Sequence, residues 1–323
     1  MKAIVLDKYG SPDVLELREI DKPTVGDDDV LIRVRAASVN AYDWHMMTGL
    51  PYLSRLQMGL LKPKVALLGA DVAGQVESVG KNVTEFQPGD EVFGEFAEGT
   101  CAEYVSAPEG SLALRPNNLT SEQAAAVPLA ATTALQALRD KGRIQSGQQV
   151  LINGAAGGVG PFAVQIAKAF GAEVTGVCST KNVEMVRSVG ANHVIDYTQE
   201  DFANGEQRYD LMLDNVGNRS LSECRRVMKR KGIYVASFGR PHRRWVGPMP
   251  YLLKMLMLSP LVSQKLVVWM AKPKNEDLLT LKTLLESGKV TPVIDRTYPL
   301  SEAPKAMRYL GGGHVRGKLV ITI

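Results

Sequence analysis

Residues 150–171, VLINGAAGGVGPFAVQIAKAFG, read as a strand, a glycine-rich turn and a helix in immediate succession. Val150, Leu151 and Ile152 form the short apolar run of a parallel strand covered on both faces. Ala155, Gly157 and Gly160 then give A-x-G-x-x-G, with Gly154 ahead of them. Small residues at these positions let a backbone turn sharply and approach a pyrophosphate. Pro161 suits a first helical turn, where its missing amide would have had no partner. Val159, Phe162, Ala163, Ile166, Ala167 and Phe170 recur on one face of a 3.6-residue helix, and Gly171 ends it. The free amides at the start of such a helix attract phosphate. Gly154, Ala155, Gly157, Gly158, Val159 and Gly160 are therefore the expected pyrophosphate contacts of a dinucleotide. A βαβ unit whose turn holds no ligand is the alternative. A second apolar strand at 173–178 argues for the ligand.

The end of that second strand indicates which dinucleotide. Chains built for NAD carry an acidic residue about 20 positions past the glycines, where it holds the ribose 2′-hydroxyl. Here the positions are Cys178, Ser179, Thr180 and Lys181, with no carboxylate before Glu184. Ser179 and Lys181 can donate to a 2′-phosphate, and Tyr197, after the third strand at 193–196, offers a hydroxyl at the same rim. The expected cofactor is NADPH.

A chain of 323 residues exceeds the size at which one core stops growing, so two domains are expected. At 45% hydrophobic and 22% charged it has an ordinary globular composition. A net charge of +4, with dispersed basic residues, gives no nucleic-acid surface. Three widely spaced cysteines without a C-x-x-C pair point to a reducing compartment, and the apolar run Ala3 to Leu6 is too short for a signal-peptide core. A cytoplasmic protein is expected. Residues 246–271 are rich in Leu, Met and Val, but Lys254, Lys265 and three prolines leave no uncharged run long enough to span a bilayer. That segment reads as core packing, a pocket lining or a dimer contact.

The first 115 or so residues look β-rich, with alternation in Val30 to Val34, a run from Val72 to Val79, and turns at Pro88-Gly89-Asp90 and Glu98-Gly99, as in a small barrel or sandwich. From Ser121 helices alternate with strands expected at 149–153, 173–178, 193–196, 209–214, 232–237 and 265–270, which fits six parallel strands with right-handed crossovers. Arg225, Arg226, Lys229, Arg230 and Lys231 read as the outer face and end of a crossover helix, and Arg240, His242, Arg243 and Arg244 as a solvated loop. The tail predicts a helix over 275–287, an extended piece over 290–298, a helix over 302–310 and a strand over 318–323. It is expected to rejoin the N-terminal domain, so that 1–120 with 273–323 flank an inserted dinucleotide domain over 121–272.

Across its whole length the chain resembles the medium-chain dehydrogenase/reductase superfamily, in its zinc-free quinone oxidoreductase-like branch. The resemblance rests on KAIVLDKYGSPDVLEL at the start, SVNAYDWHMMTG at 38–49, GADVAGQVESVG at 69–80, PGDEVFG at 88–94, AAVPLAATTALQAL at 125–138, DLMLDNVG at 210–217, the glycine turn and the final GHVRGKLVITI. It implies a GroES-like β-barrel catalytic domain, a Rossmann doubly wound sheet and a homodimer. Zinc-dependent members of the superfamily hold their ion with a cysteine, a histidine-glutamate pair and a second cysteine. Here Asn40 and Ala70-Asp71 stand at the first three of those places, with Cys101 alone nearby, so no metal is expected.

Without a Lewis acid, conjugate hydride transfer to a quinone or another α,β-unsaturated carbonyl is the easier chemistry, because the acceptor is already electron-poor. The resemblance implies Asn40 beside the nicotinamide and substrate, Thr133 near the nicotinamide, Asn215 along the cofactor groove, and His314 to Arg316 closing over it from the tail. Asp43 takes a place that mostly supports the local fold. For the proton, Tyr52 lies about one position from the donor tyrosine of enoyl-thioester reductases, and Tyr42 and His45 are nearby. Enoyl-thioester reduction, and NADPH binding by a scaffold or sensor with little catalysis, remain the alternative functions.

Overall fold

Valine- and alanine-rich alternation dominates the first 115 residues, and it folds as antiparallel sheet. The computed structural model describes residues 1–96, 99–237 and 245–323, so the basic run Arg240 to Arg244 lies outside the described residues. The chain divides into two compact units, one comprising 1–132, 273–288 and 292–323, the other 133–272 with 289–291. In the first unit, β1 (Lys2–Val5) pairs antiparallel with β2 (Glu16–Glu19). β3 (Asp29–Val39), β4 (Asp71–Val79), β5 (Glu91–Glu95), β6 (Tyr104–Pro108) and β7 (Leu112–Leu114) build a larger sheet. Its interior collects Val30, Ile32, Val34, Val72, Val76 and Val92. Along β3, Arg33 and Arg35 face solvent, whereas every residue from Ala36 to Val39 is buried. The strand thus runs from a half-solvated start into a fully covered end.

The second unit holds β8 (Gln149–Asn153), β9 (Glu173–Cys178), β10 (His193–Asp196), β11 (Tyr209–Asp214), β12 (Met228–Ala236) and β13 (Lys265–Val268). All are parallel, in the order β10-β9-β8-β11-β12-β13. That is the strand order 3-2-1-4-5-6 of a doubly wound dinucleotide-binding sheet. One expectation needs correcting. Lys229, Arg230 and Lys231 belong to β12, because the preceding helix ends at Arg226 and the ladder with β11 starts at Met228 before its register shifts. The helix Gly160–Ala169 differs as well, since every residue from Pro161 to Ala167 is buried rather than one face alone. Gln165 is accommodated there because its amide donates to Pro161 O and Thr291 O, at 3.1 and 2.9 Å. In residues 246–271, a helix Met249–Leu258 buries Met255 and leaves Leu253, Leu256 and Met257 exposed. Among the described residues no helix is long and apolar enough to cross a membrane.

The tail returns to the first unit. β14 (Ile294–Pro299) pairs parallel with β15 (Lys318–Thr322), and β15 pairs antiparallel with β3. Helices Asn275–Glu286 and Ala303–Gly312 precede these two strands, the second placing Ala306 and Met307 in a core with Ile4, Val39, Leu319 and Ile321.

Candidate active site

In the second unit the carboxyl ends of β8 and β11 lie side by side, and the turn after each is held by backbone. Gly154 N and Ala155 N both donate to Val177 O, at 3.2 and 3.0 Å. Gly154 has φ +81°, which a side chain would strain. A Cβ on Gly160 would lie 2.3 Å from Gly154 O, so only glycine lets the helix start this close to the strand. Gly157 is different, because a Cβ there would meet no atom nearer than Gly154 O at 3.8 Å.

The second turn is organised by Asp214. Its carboxylate accepts from Asn153 Nδ2, Val216 N and Gly217 N at 2.9, 3.0 and 2.9 Å, and from the buried Tyr234 hydroxyl at 2.7 Å. Asn215 N donates to Asn153 O at 3.1 Å. This places Asn215 beside Gly154, with its side-chain oxygen and nitrogen both buried and without a hydrogen-bond partner among the described residues. A buried amide left so is costly unless a ligand completes it. The glycine turn and that amide fit a dinucleotide. Thr133, also in this unit, is buried in the helix Pro128–Leu135.

At the end of β9, Lys181 is exposed, Ser179 accepts from Asn182 Nδ2 at 3.2 Å, and Tyr197 is 51% exposed. The rim is not free of carboxylate, however. Asp196 accepts from Thr198 N and Thr198 Oγ1, at 3.0 and 2.8 Å. Hydrogen bonds from the Thr180 hydroxyl, above all, and from Thr198 hold its carboxyl below the ordinary aspartate range. The register pairing Asp196 with Cys178 brings it there from the neighbouring strand, a proximity that chain distance hides.

The first unit assembles a different site from one transverse row of its sheet. Register sets Val39 against Leu319, Ser38 against Asp71, and Asp71 against Glu95. One step beyond the first pair, Asn40 faces Lys318. Residues opposite each other share a face, so four strands deliver Ser38, Asn40, Lys318, Asp71 and Glu95 to one place. All five are buried. Asp71 Oδ2 accepts from Ser38 Oγ at 2.7 Å, Asn40 Nδ2 at 2.9 Å and Lys318 Nζ at 3.2 Å, while Oδ1 accepts from Leu129 N at 2.9 Å. Lys318 Nζ also donates to Asn40 Oδ1.

Asp43 serves the backbone here, accepting from Asn40 N at 2.6 Å at the start of the helix Ala41–Thr48. Burial first, then the negative charge of Asp71, lifts its carboxyl to about 7. Glu95 is pushed up to about 8, again mainly by burial. Tyr52 belongs to a separate cluster, with the Arg55 guanidinium over its ring at 4.7 Å and over that of Tyr9 at 4.3 Å. Burial raises the Tyr42 hydroxyl above its usual range, and His45 Nδ1 lies 2.6 Å from Leu50 O. His314 and Arg316 are both exposed, and Arg316 N donates to Asp295 Oδ2 at 2.9 Å.

Residues 26–119 match the family described as Alcohol dehydrogenase GroES-like domain, and residues 189–321 the family described as Zinc-binding dehydrogenase. The chain is 34% identical to the mouse protein named NAD(P)H oxidoreductase RTN4IP1, mitochondrial, over 100% of its own length and 89% of the relative's. The chain belongs to the medium-chain dehydrogenase/reductase superfamily, in its quinone oxidoreductase-like branch. It is also 34% identical to the Arabidopsis thaliana NADPH-dependent alkenal/one oxidoreductase, chloroplastic, covering 99% of this chain and 79% of that one. The solved quinone oxidoreductase of Coxiella burnetii superposes with a TM-score of 0.86 at 32% identity, covering 100% and 99%.

Membership raises the question of zinc, which one of the matched family descriptions names. The residues present do not fit it. Among the described residues no group of three or more His, Cys, Asp or Glu side chains could hold a metal ion. Cys101, the one thiol near the row, lies in the apolar core, where burial raises it well above its ordinary range. The cation beside Asn40 and Asp71 is an ammonium, that of Lys318. In the sequence Lys318 is a lysine at the head of an apolar strand, with nothing to mark it. Only the pairing of β15 with β3 reveals it as buried.

Proposed function

We propose that this chain reduces quinones and other α,β-unsaturated carbonyls with NADPH and without a metal. The observation that carries the reading is the carboxamide of Asn215 beside the Gly154–Gly160 turn, without a partner among the described residues, a buried polar gap of the kind a bound dinucleotide closes. Gly154, Ala155, Gly157, Gly158, Val159 and Gly160 would take the pyrophosphate. Thr133 and Asn215 would take the nicotinamide side, Ser179, Lys181 and Tyr197 the adenosine ribose, and His314 and Arg316 would add contacts from the tail. When bound, the cofactor supplies a hydride. Asn40 donates a hydrogen bond to the acceptor's carbonyl oxygen as negative charge develops there. Tyr52, a phenol, delivers the proton that an enolate product needs, and a hydroquinone product takes its own from water. The names of the Arabidopsis and Coxiella relatives support this substrate class.

Turnover is tested by following NADPH absorbance with 1,4-naphthoquinone, an alkenal and crotonyl-CoA. Faster loss with the quinone and alkenal is expected. Faster thioester reduction that disappears in Tyr52→Phe would instead make the chain an enoyl-thioester reductase, and no loss with any acceptor would make it a binding protein.

The preference for NADPH rests on Lys181, since Asp196 at the same rim already accepts from threonines. A charge-assisted bond contributes about 1.5 to 3 kcal/mol, and an exposed side chain gives the lower end, so Lys181→Ala is expected to weaken NADPH roughly tenfold and leave NADH unchanged. Equal losses of the two cofactors by calorimetry would refute the assignment.

Three free, buried cysteines are consistent with a reducing compartment, and we place the protein in the cytoplasm. β13, the last strand of its sheet among the described residues, and the exposed Leu253, Leu256 and Met257 beside it suit the contact of a homodimer.

A further inference from the structure

We propose that Lys318 is a positioning residue that polarises the Asn40 carboxamide, so that a buried ammonium strengthens, through an amide, the hydrogen bond given to the substrate oxygen. This rests on the reading above, in which Asn40 meets that oxygen.

A primary amide has two N–H donors and one carbonyl acceptor. In Asn40 the acceptor takes the Lys318 ammonium, and one N–H goes to Asp71 Oδ2 at 2.9 Å. The orientation is unambiguous, because a flipped amide would set its NH2 against an ammonium and its oxygen against a carboxylate. One N–H remains for a ligand, on a residue 7% exposed. Charge on the amide oxygen draws density from the nitrogen, which makes the remaining N–H a better donor, and a water-poor surrounding preserves the effect.

Asp71 pulls the other way, but its charge is divided. Ser38 Oγ, Asn40 Nδ2, Leu129 N and Lys318 Nζ all donate to it. Asp43 and Glu95 also lie close to Lys318, and burial raises both carboxyls above the ordinary range, which lessens the negative charge they set against the ammonium. The arrangement needs no ion from solution, since its cation is part of β15.

The test is the paired variant Lys318→Met with Asp71→Asn, which removes both charges and leaves neither buried alone. An outer partner that orients a reacting group typically alters activity about ten- to a hundredfold. The expected result is a kcat for the enone lowered by that factor, with NADPH Kd unchanged and enone KM altered less than about threefold. On an Asn40→Ala background the pair should produce no further loss. A second readout uses the apo protein. The Asn40 side-chain ¹⁵N–¹H pair, assigned by its absence in Asn40→Ala, should resonate downfield in the parent and move toward the free-amide position in the paired variant. If Asn40→Ala slows turnover while the paired variant keeps both the parent kcat and the parent resonance, the inference about Lys318 is wrong and the reading of Asn40 stands. If Asn40→Ala leaves turnover unchanged, the role given to Asn40 under the proposed function fails. The resonance then still decides whether Lys318 polarises the amide.

Discussion

Gly157→Val is expected to abolish useful NADPH binding while leaving the protein folded. The space beside Gly157 is open, with nothing nearer to an added Cβ than Gly154 O at 3.8 Å, and its backbone lies outside the left-handed region that marks Gly154. An added Cβ therefore meets Gly154 O at no less than ordinary van der Waals distance, and the backbone tolerates it, so the valine variant is expected to fold. The same open space is what a pyrophosphate needs in order to reach the amides of the turn. Filling it removes two or more charge-assisted bonds, worth about 1.5 to 3 kcal/mol each, so affinity should fall at least about a hundredfold. Gly160→Ala provides the contrast, because its Cβ would lie 2.3 Å from Gly154 O and 2.4 Å from Ala155 C. That variant should melt roughly 5 °C or more below the parent, whereas Gly157→Val melts within about 2 °C of it. Calorimetry and a thermal melt on both variants check the pair. Parent-like NADPH affinity in Gly157→Val would remove the cofactor from this turn.

The parallel sheet was legible because each of its strands is a local event. An apolar run bounded by turn residues declares its ends, and 149–153, 173–178, 193–196 and 209–214 are read from the chain to the residue. The glycine turn is equally local. β12 departs from this, since Lys229 to Lys231 are polar and fall in the irregular stretch where its register with β11 shifts, and β13 stops at Val268, two residues short of the expected 270. The row in the first unit is a product of register. Ser38 and Asp71, Asp71 and Glu95, Asn40 and Lys318 meet across strands far apart in sequence, and no spacing along the chain announces such neighbours. Asn40 and Asp71 drew attention through family resemblance alone, and Lys318 and Glu95 through nothing. The same blindness hid Asp196, which reaches the adenosine rim from the strand beside Ser179.

Glu95 leads to the second large effect, a loss of stability on going alkaline that Glu95→Gln should blunt. Its side chain is buried, with Oε2 lacking a hydrogen-bond partner among the described residues. Burial chiefly, then the charges of Asp71 and Asp277, raises its carboxyl to about 8, against the opposing pull of Lys318. Asp43 is raised to about 7. In the unfolded chain both would titrate near 4. The folded state therefore binds more protons than the unfolded state between those limits. Stability from these groups is fully present below about pH 4 and is lost as pH rises through 7 and 8, at up to about 1.4 kcal/mol per pH unit for each group. A neutral glutamine matches the protonated acid in size and charge, so the variant should equal the parent near pH 4 and exceed it by a few kcal/mol near pH 8. Denaturant melts at the two pH values decide it, and parallel curves for parent and variant would show that Glu95 does not titrate in this window.

The same ionisation bears on the chemistry. Asp71 already shares Lys318 with Asn40, and once Glu95 loses its proton a further negative charge acts on that ammonium in a setting that screens it poorly. The polarisation of the Asn40 amide should then weaken. Turnover in the parent should decline above pH 8, and in Glu95→Gln, which has no charge to gain there, it should hold level.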